Sequence, residues 1–549
     1  MGWRRSRWAV IAVAAGCALM ASACGRSASS AGGSSSGNVS PTKGLVTTTP
    51  AGTKPVSSVV WAVYRDVNSL DPIYAFDYPE NTADSLMCES LLRQAPNGAL
   101  QPGLATVTHP NPTTAVFTLK PGVTFWDGNP VTPADVVYSL DRNTNQTLGG
   151  SYGWVFNRVA SITATSHDQV AITLKQPDYW LGNELSSAPG IIIEKSFAEK
   201  QGKNYGTPAG SIMCTGAYML KSWTPGVGVV VVRNPHYWNP SVHPLVGQIT
   251  IKGVPSVASL TAGLLTGAIQ GDYGVGVPTL DQLKHSGTVR VYLGPGWSSD
   301  VFVVTSLKGV LGDVRVRRAL SLALNRQGII NSVYQGTAQL PRWLSNPGTF
   351  GYGTSVFAGA YDSSPVLTQN IAEARKLVKQ AGATGKTITI GTTSQLAVYA
   401  GDTAAYEAAA QAIGLKVALR SVPAQNYIDF IVSPKARAGL DGFPVVDYGD
   451  DADPADLLAQ AVLPGGLQNY DNFNDPAITA ALEQARSMSN PDQRAALVAR
   501  AEKLAAQQLP WIPDVQPDTV LLLGKGLTGA ISSSAYLYSP WANSLGRAG

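Results

Sequence analysis

The first 24 residues decide where this chain folds, and so which stabilising devices are open to it. Trp3-Arg4-Arg5-Ser6-Arg7 is a positive start, Trp8 to Met20 is an apolar stretch, and Ala21-Ser22-Ala23 places small residues before Cys24. That order reads as a bacterial secretory signal over residues 1–23. The stretch is shorter than the roughly 20 residues a spanning helix needs, and no later run reaches that length. Met1-Gly2-Trp3-Arg4-Arg5-Ser6 also fits the loose N-myristoylation pattern, but the apolar run directly behind it favours export.

Export changes how the cysteines are read. The Ala-Ser-Ala-Cys ending resembles a lipoprotein lipobox, in which Cys24 is lipidated and becomes the first residue of a membrane-anchored chain. Cys17 leaves with the signal, so Cys88 and Cys214 remain in an oxidising compartment and are expected to form a disulfide. They are too far apart for a C-x-x-C metal pair, and the five His show no H-E-x-x-H spacing. No structural metal and no cofactor is therefore expected. Residues 24–55 are rich in Ser, Gly, Thr and Pro and read as a flexible stalk. Within it Gly33-Ser34-Ser35-Ser36-Gly37 and Ser40-Pro41-Thr42-Lys43 imitate serine-nucleophile motifs, but a stalk lacks the strand-turn-helix that activates a serine.

With 549 residues and 44% hydrophobic content the chain has core for several domains. Its formal charge of +4 falls to about +1 once the signal is removed. Without a basic block, neither nucleic acid nor an anionic membrane surface is an expected partner.

Local signals outline alternating strands and helices. Val59 to Tyr64 reads as a strand stopped by Asp71-Pro72, Thr82 to Leu92 as a helix, and Ala115 to Phe125 as strand interrupted by Pro121-Gly122. Thr132-Pro133-Ala134-Asp135 is a capping box opening a helix with Val136, Val137 and Leu140 inward. Further helices start at Asp313, Asn370, Asp475-Pro476 and Asn490-Pro491. In the Asp313 helix, Val316, Ala319, Leu320, Ala323 and Leu324 form the buried stripe, which leaves Arg315 and Arg318 to surface pairing. Strand Thr387 to Ile390, a helix through Tyr406 to Ile413 and strand Lys416 to Arg420 form an α/β alternation. Gly382-Ala383-Thr384-Gly385-Lys386-Thr387 imitates a phosphate loop, yet Gln380 stands where its first Gly belongs and a strand, not a helix, follows.

Collinear segments then carry a resemblance: Leu70-Asp71-Pro72, Gln101-Pro102-Gly103-Leu104-Ala105, Phe117 to Arg142, Cys214 to Tyr218, Arg233 to Trp238, Asp313 to Arg326, and Pro510-Trp511-Ile512-Pro513. Together they cover most of the chain from Ser58 to Pro513, and the chain resembles the family 5 extracellular solute-binding proteins of ABC importers, the oligopeptide- and dipeptide-binding group. Ala217 stands where that family usually has Pro, and Asn325 where it usually has Asp. The resemblance implies an α/β, two-lobe periplasmic-binding-protein-like fold of type II, with a subdomain inserted in the first lobe. The expected divisions are 56–81 and 202–296 for the first lobe, 82–201 for the insertion, 297–509 for the second lobe, and 510–549 for a C-terminal return. It also implies a monomer that closes by hinge motion on a short peptide and delivers it to an ABC permease with its ATPase subunits.

The acidic run Asp447-Tyr448-Gly449-Asp450-Asp451-Ala452-Asp453-Pro454 is the most chemically pointed segment. Taken alone, its carboxylates read as a solvated acidic loop or a cation loop, and the EF-hand spacing is absent. In the resembling family a similar segment holds the aspartate that pairs with the peptide ammonium. Aligned on Asp453-Pro454, that role falls on Asp450, with Asp451 and Asp447 as alternatives because the family's usual upstream Trp is missing. Tyr448, Trp297, Trp343 and Tyr152 are candidate aromatic walls, although most aromatics of such a chain are ordinary core. Rival readings are a secreted cell-wall hydrolase, which lacks a serine, cysteine or metal constellation in suitable context, a sensor or chaperone using the same cleft, and a binder of a nickel chelate, oligosaccharide or haem.

Overall fold

The computed structural model describes residues 44–274 and 278–549. The signal, Cys24 and the two serine decoys lie outside the described residues. Two mixed sheets organise the body. In the seven-stranded sheet, Val56–Val63 lies in parallel between Val246–Gly253 and Gly271–Gly274, and the flanking strands run antiparallel. In the six-stranded sheet, Thr387–Thr393 is parallel to Lys416–Val422 and to Gly442–Tyr448, and Gly442–Tyr448 pairs antiparallel with Ser298–Val304. These are the two lobes, and the fold is the mixed α/β periplasmic-binding-protein type.

Alternation explains each core. In Val56–Val63, Val59, Trp61 and Val63 point to one apolar cluster, where Trp61 is packed by Trp541 at 4.1 Å and Tyr273 at 5.1 Å. Ala62 points to the other face, against Leu264, Leu283 and Leu522. The second lobe buries Phe302, Phe443 and Tyr406 between its sheet and its helices. Between the first strand and the later first-lobe strands is a four-stranded antiparallel sheet built from Ala105–Asn111, Thr114–Leu119, Gln169–Leu174 and Val159–Ala164, inside the expected insertion. Cys88 and Cys214 are joined in a disulfide with their Cα atoms 4.9 Å apart.

Helix ends follow their caps. Thr132 and Asp135 form the capping box of Pro133–Thr144, and Asp313, Asn370, Asp475 and Asn490 each accept a first-turn backbone N–H. Three boundaries differ from expectation. The first-lobe helix spans Tyr78–Met87 rather than 82–92, because Asp77 caps it and Cys88 is extended into its disulfide. Stalk character stops before residue 55: Thr48 bridges Ile531, Lys54 bridges Arg547, and Thr49 is 4% exposed, so this arm has its backbone satisfied by the C-terminal segment. The C-terminal return begins one strand later than 510, since Trp511–Pro517 pairs with Ser298–Val304 in the second lobe, and the chain re-enters the first lobe from Thr519–Gly524 onward.

The chain thus changes lobe twice side by side, at Gly294–Ser298 and at Pro517–Thr519. Gly296 allows this close approach: a Cβ there would sit 2.1 Å from the Pro517 carbonyl oxygen.

Candidate functional site

Parallel strands set the position of the cleft. Segments leaving the carboxyl ends of parallel strands cannot turn straight back, so they form loops over one rim of the sheet, and open α/β sheets bind ligands there. Both lobes turn that rim inward. Tyr64, Val254 and Gly274 end or follow the first-lobe strands, and Gln395, Tyr427 and Asp447 to Asp450 follow the second-lobe strands. Tyr64, Gln395, Tyr427, Asp447 and Asp450 among them line a space of about 770 Å3, closed on a further side by Tyr152 and Trp154 of the insertion. A neighbouring compartment of about 1160 Å3 shares Tyr64, Asp77 and Gln395 with it.

The walls are aromatic. Tyr78 lies 4.5 Å from Tyr448, and Tyr399 lies 4.8 Å from Tyr427. Hydrogen bonds fix their rings: the Tyr427 hydroxyl donates to the Pro444 carbonyl at 2.7 Å, and that of Tyr152 to the Ala75 carbonyl at 2.8 Å. The lobes meet around Tyr448, whose hydroxyl accepts from Asn81 Nδ2 at 3.0 Å and donates to the Phe76 carbonyl at 3.2 Å.

The acidic loop is not a solvated run, as its composition alone implies. Asp451, Asp453 and Asp456 are 1%, 3% and 2% exposed. Asp453 caps helix Pro454–Val462 through the Ala455 N–H at 2.9 Å and accepts from the Tyr352 hydroxyl at 2.9 Å. Asp451 accepts the Asp453 N–H at 2.8 Å, and Asp456 accepts the Asp450 N–H at 2.5 Å, so these side chains tie the loop to itself. Burial, then neighbouring aspartates, holds Asp451 and Asp456 well above the usual carboxylate range.

Of the acids in this run, only Asp447 and Asp450 reach the cleft. Asp447 accepts from the Tyr448 N–H at 2.9 Å and from Gln468 Nε2 at 2.5 Å, and Asp450 accepts from the Tyr538 hydroxyl of the first lobe. Neither has a cationic partner among the described residues. Burial pushes Asp447 up to about 6 and Asp450 up to about 7, opposed in each by the hydrogen bonds it accepts.

The remaining sequence candidates divide. Tyr448 and Tyr152 line the cleft, whereas Asp451 lies beneath its floor. Trp297 is 1% exposed in the first-lobe core, its backbone N–H donating to Ser534 Oγ, and Trp343 is fully buried in the second lobe with Nε1 on Ser364 Oγ. Their bulk is spent on packing, which removes both from the wall of the cleft. Tyr64, Tyr78, Trp154, Tyr399, Tyr427 and Gln468 escaped sequence reasoning. For Tyr64 a signal existed: an aromatic ending an apolar strand just before a turn.

Among the described residues no group of three His, Cys, Asp or Glu side chains is arranged to hold a metal ion, and no helix is long and apolar enough to cross a membrane.

Comparison with known proteins bears on this geometry. Residues 99–469 match the family described as bacterial extracellular solute-binding proteins, family 5 Middle. The periplasmic murein peptide-binding protein MppA of Escherichia coli (strain K12) is 26% identical over 486 residues, covering 84% of this chain and 88% of that protein. Among solved structures, the ABC transporter-associated periplasmic binding protein DppA from Helicobacter pylori, in complex with the peptide STSA, superposes with a TM-score of 0.77 at 20% identity, over 90% of this chain and 99% of that one. The PBP AgaA from A. tumefacien R10, in complex with agropinic acid, superposes with a TM-score of 0.78 at 18% identity, over 90% and 99%. At these identities the two structures show the shared fold.

Proposed function

The chain belongs to the bacterial extracellular solute-binding proteins, family 5, a family of non-catalytic binders, and we propose that its own solute is a short peptide held by its amino terminus. One observation carries this reading: two cleft carboxylates, Asp447 and Asp450, are half-buried, with no cation beside them among the described residues. A carboxylate drawn partly out of water without a counter-charge holds its proton more tightly or draws a cation. A peptide ammonium satisfies it with charge-assisted hydrogen bonds. Asp450 is the primary anchor, since Tyr538 braces it from the opposite lobe and a ligand there is gripped from both sides. The Tyr and Trp walls accept varied side chains through area rather than specific bonds. MppA is named for a murein peptide and the Helicobacter pylori protein holds STSA, which supports a peptide, while the opine in AgaA marks the alternative.

Delivery to an ABC permease and its ATPase subunits, a monomeric state, and anchoring through a lipid on Cys24 complete the proposal. Cys24→Ser is expected to move the protein out of the membrane fraction.

Calorimetry with a peptide pool, its bound fraction recovered intact, tests the reading. Asp450→Asn is expected to weaken binding by about 2 to 5 kcal/mol, because the ligand ammonium is left without its pair. N-acetylation of the ligand should weaken the wild type strongly and the variant little. Equal affinity for free and acetylated peptides would sink the anchor, and tight opine binding beside no peptide binding would redirect the chain to another ligand class.

A further inference from the structure

A third compartment opens off the same cleft. It measures about 550 Å3 and shares Tyr64, Gln395 and Leu396 with the main space. Its first-lobe walls are Ala62, Pro255 and Leu260, and its floor carries Asp272. Asp272 lies in strand Gly271–Gly274, paired across the sheet with Ala62 on one side and Leu522 on the other. It therefore sits among apolar neighbours, on the sheet face opposite the Trp61 cluster.

Asp272 is 5% exposed and its side chain has no hydrogen-bond or ion-pair partner among the described residues. Among the described residues no Lys, Arg or His lines the compartment; Tyr64 and Tyr273 are its other ionisable side chains there, and Tyr536 lies within reach of the Asp272 charge. The Tyr64 hydroxyl is already committed to Asp77, at 2.5 Å. Leaving a buried carboxylate without a partner is costly, and burial alone pushes Asp272 up to about 7. The compartment has the form of a side-chain slot, with apolar walls along its length and one acid at its end.

We infer that the Asp272 compartment is a subsite for a lysine or arginine side chain of the bound peptide, its aliphatic stem against Ala62, Pro255 and Leu260 and its cationic head on the Asp272 carboxylate. This rests on the peptide reading above and adds a side-chain preference to it. Long cationic side chains suit such a slot because the stem buries apolar area while the head keeps its charge paired. Gln395 rims the slot from the second lobe and its side chain has no partner among the described residues, so it can cap the head as the lobes meet.

The test is calorimetry on position-scanned tri- and tetrapeptides that carry lysine or its neutral isostere norleucine. At one position lysine should bind the wild type at least about thirtyfold more tightly than norleucine. In Asp272→Asn that ratio should fall below about threefold, with the norleucine peptide bound as before. A second readout needs no variant: between pH 7.5 and 5.5 the lysine-to-norleucine ratio of the wild type should fall at least about tenfold as Asp272 takes up a proton, while effects at Asp447 and Asp450 cancel in the ratio. If both peptides bind equally, or the preference persists in Asp272→Asn or is flat with pH, the subsite falls and the peptide reading stands. If no peptide binds the wild type, both fall together.

Discussion

Asp272 aside, the two lobes treat their carboxylates oppositely. On the first lobe, Arg65 holds Asp77 at 2.6 Å and Glu80 at 2.7 Å, and Arg142 makes a two-pronged contact with Asp71 at 2.5 and 2.8 Å. On the second lobe, Asp447 and Asp450 have only amides and hydroxyls. An arginine fork neutralises its acid permanently and freezes the geometry, which suits scaffolding. Hydroxyls and amides orient a carboxylate without cancelling its charge. In this cleft the company an acid keeps therefore separates structure from recognition better than the acid itself does.

The strongest way to break that contrast is to remove a fork. Arg142→Met leaves Asp71, its side chain 4% exposed, with an uncompensated charge and should destabilise the fold by about 3 to 5 kcal/mol in urea unfolding. A loss below about 1 kcal/mol would mean that the pair is ornamental. The second-lobe acids should instead show themselves through pH. A carboxyl near 3.8 in the unfolded chain and about 7 in the folded one, as for Asp450, binds its proton more tightly when folded. Stability is then lost as pH rises between those values and is level above the folded one. Ligand-free protein with Asp450→Asn should lack this part of the decline, its stability difference from wild type changing by about 1 to 3 kcal/mol between pH 5 and 7.5. Parallel curves would place Asp450 among the settled acids. The smallest effect belongs to Asp451: since it lies under the loop, Asp451→Asn should leave peptide affinity within about twofold. A large loss would return that residue to the cleft.

What could be read in advance was what is local. Caps at Thr132, Asp313, Asn370, Asp475 and Asn490 and the strand starting at Thr387 depend on a few adjacent residues, and they appear where the spacing puts them. The cleft is different in kind. Tyr64, Trp154, Tyr399 and Tyr427 meet only because two sheets turn the same rim inward, a fact with no trace in the sequence around any one of them. The acidic run shows both limits. Its chemistry was legible, but which two of its acids face the ligand depends on Asp453 capping one helix and Asp456 holding the Asp450 N–H. The arm over residues 44–54 misled for a related reason, since a segment poor in large apolar residues can still be held through its backbone.

The Cys88–Cys214 bond encloses nearly all of the expected insertion, with one sulfur just inside its start and the other past its end. While oxidised, that part of the chain is a covalent ring fused to the first lobe. A protease cutting any loop of the ring would open it without setting a fragment free, so a nicked molecule would run as one species on a non-reducing gel and as two on a reducing one. The ring's loops are also where foreign sequence can be spliced, because the ends of the graft stay clasped whatever is placed between them.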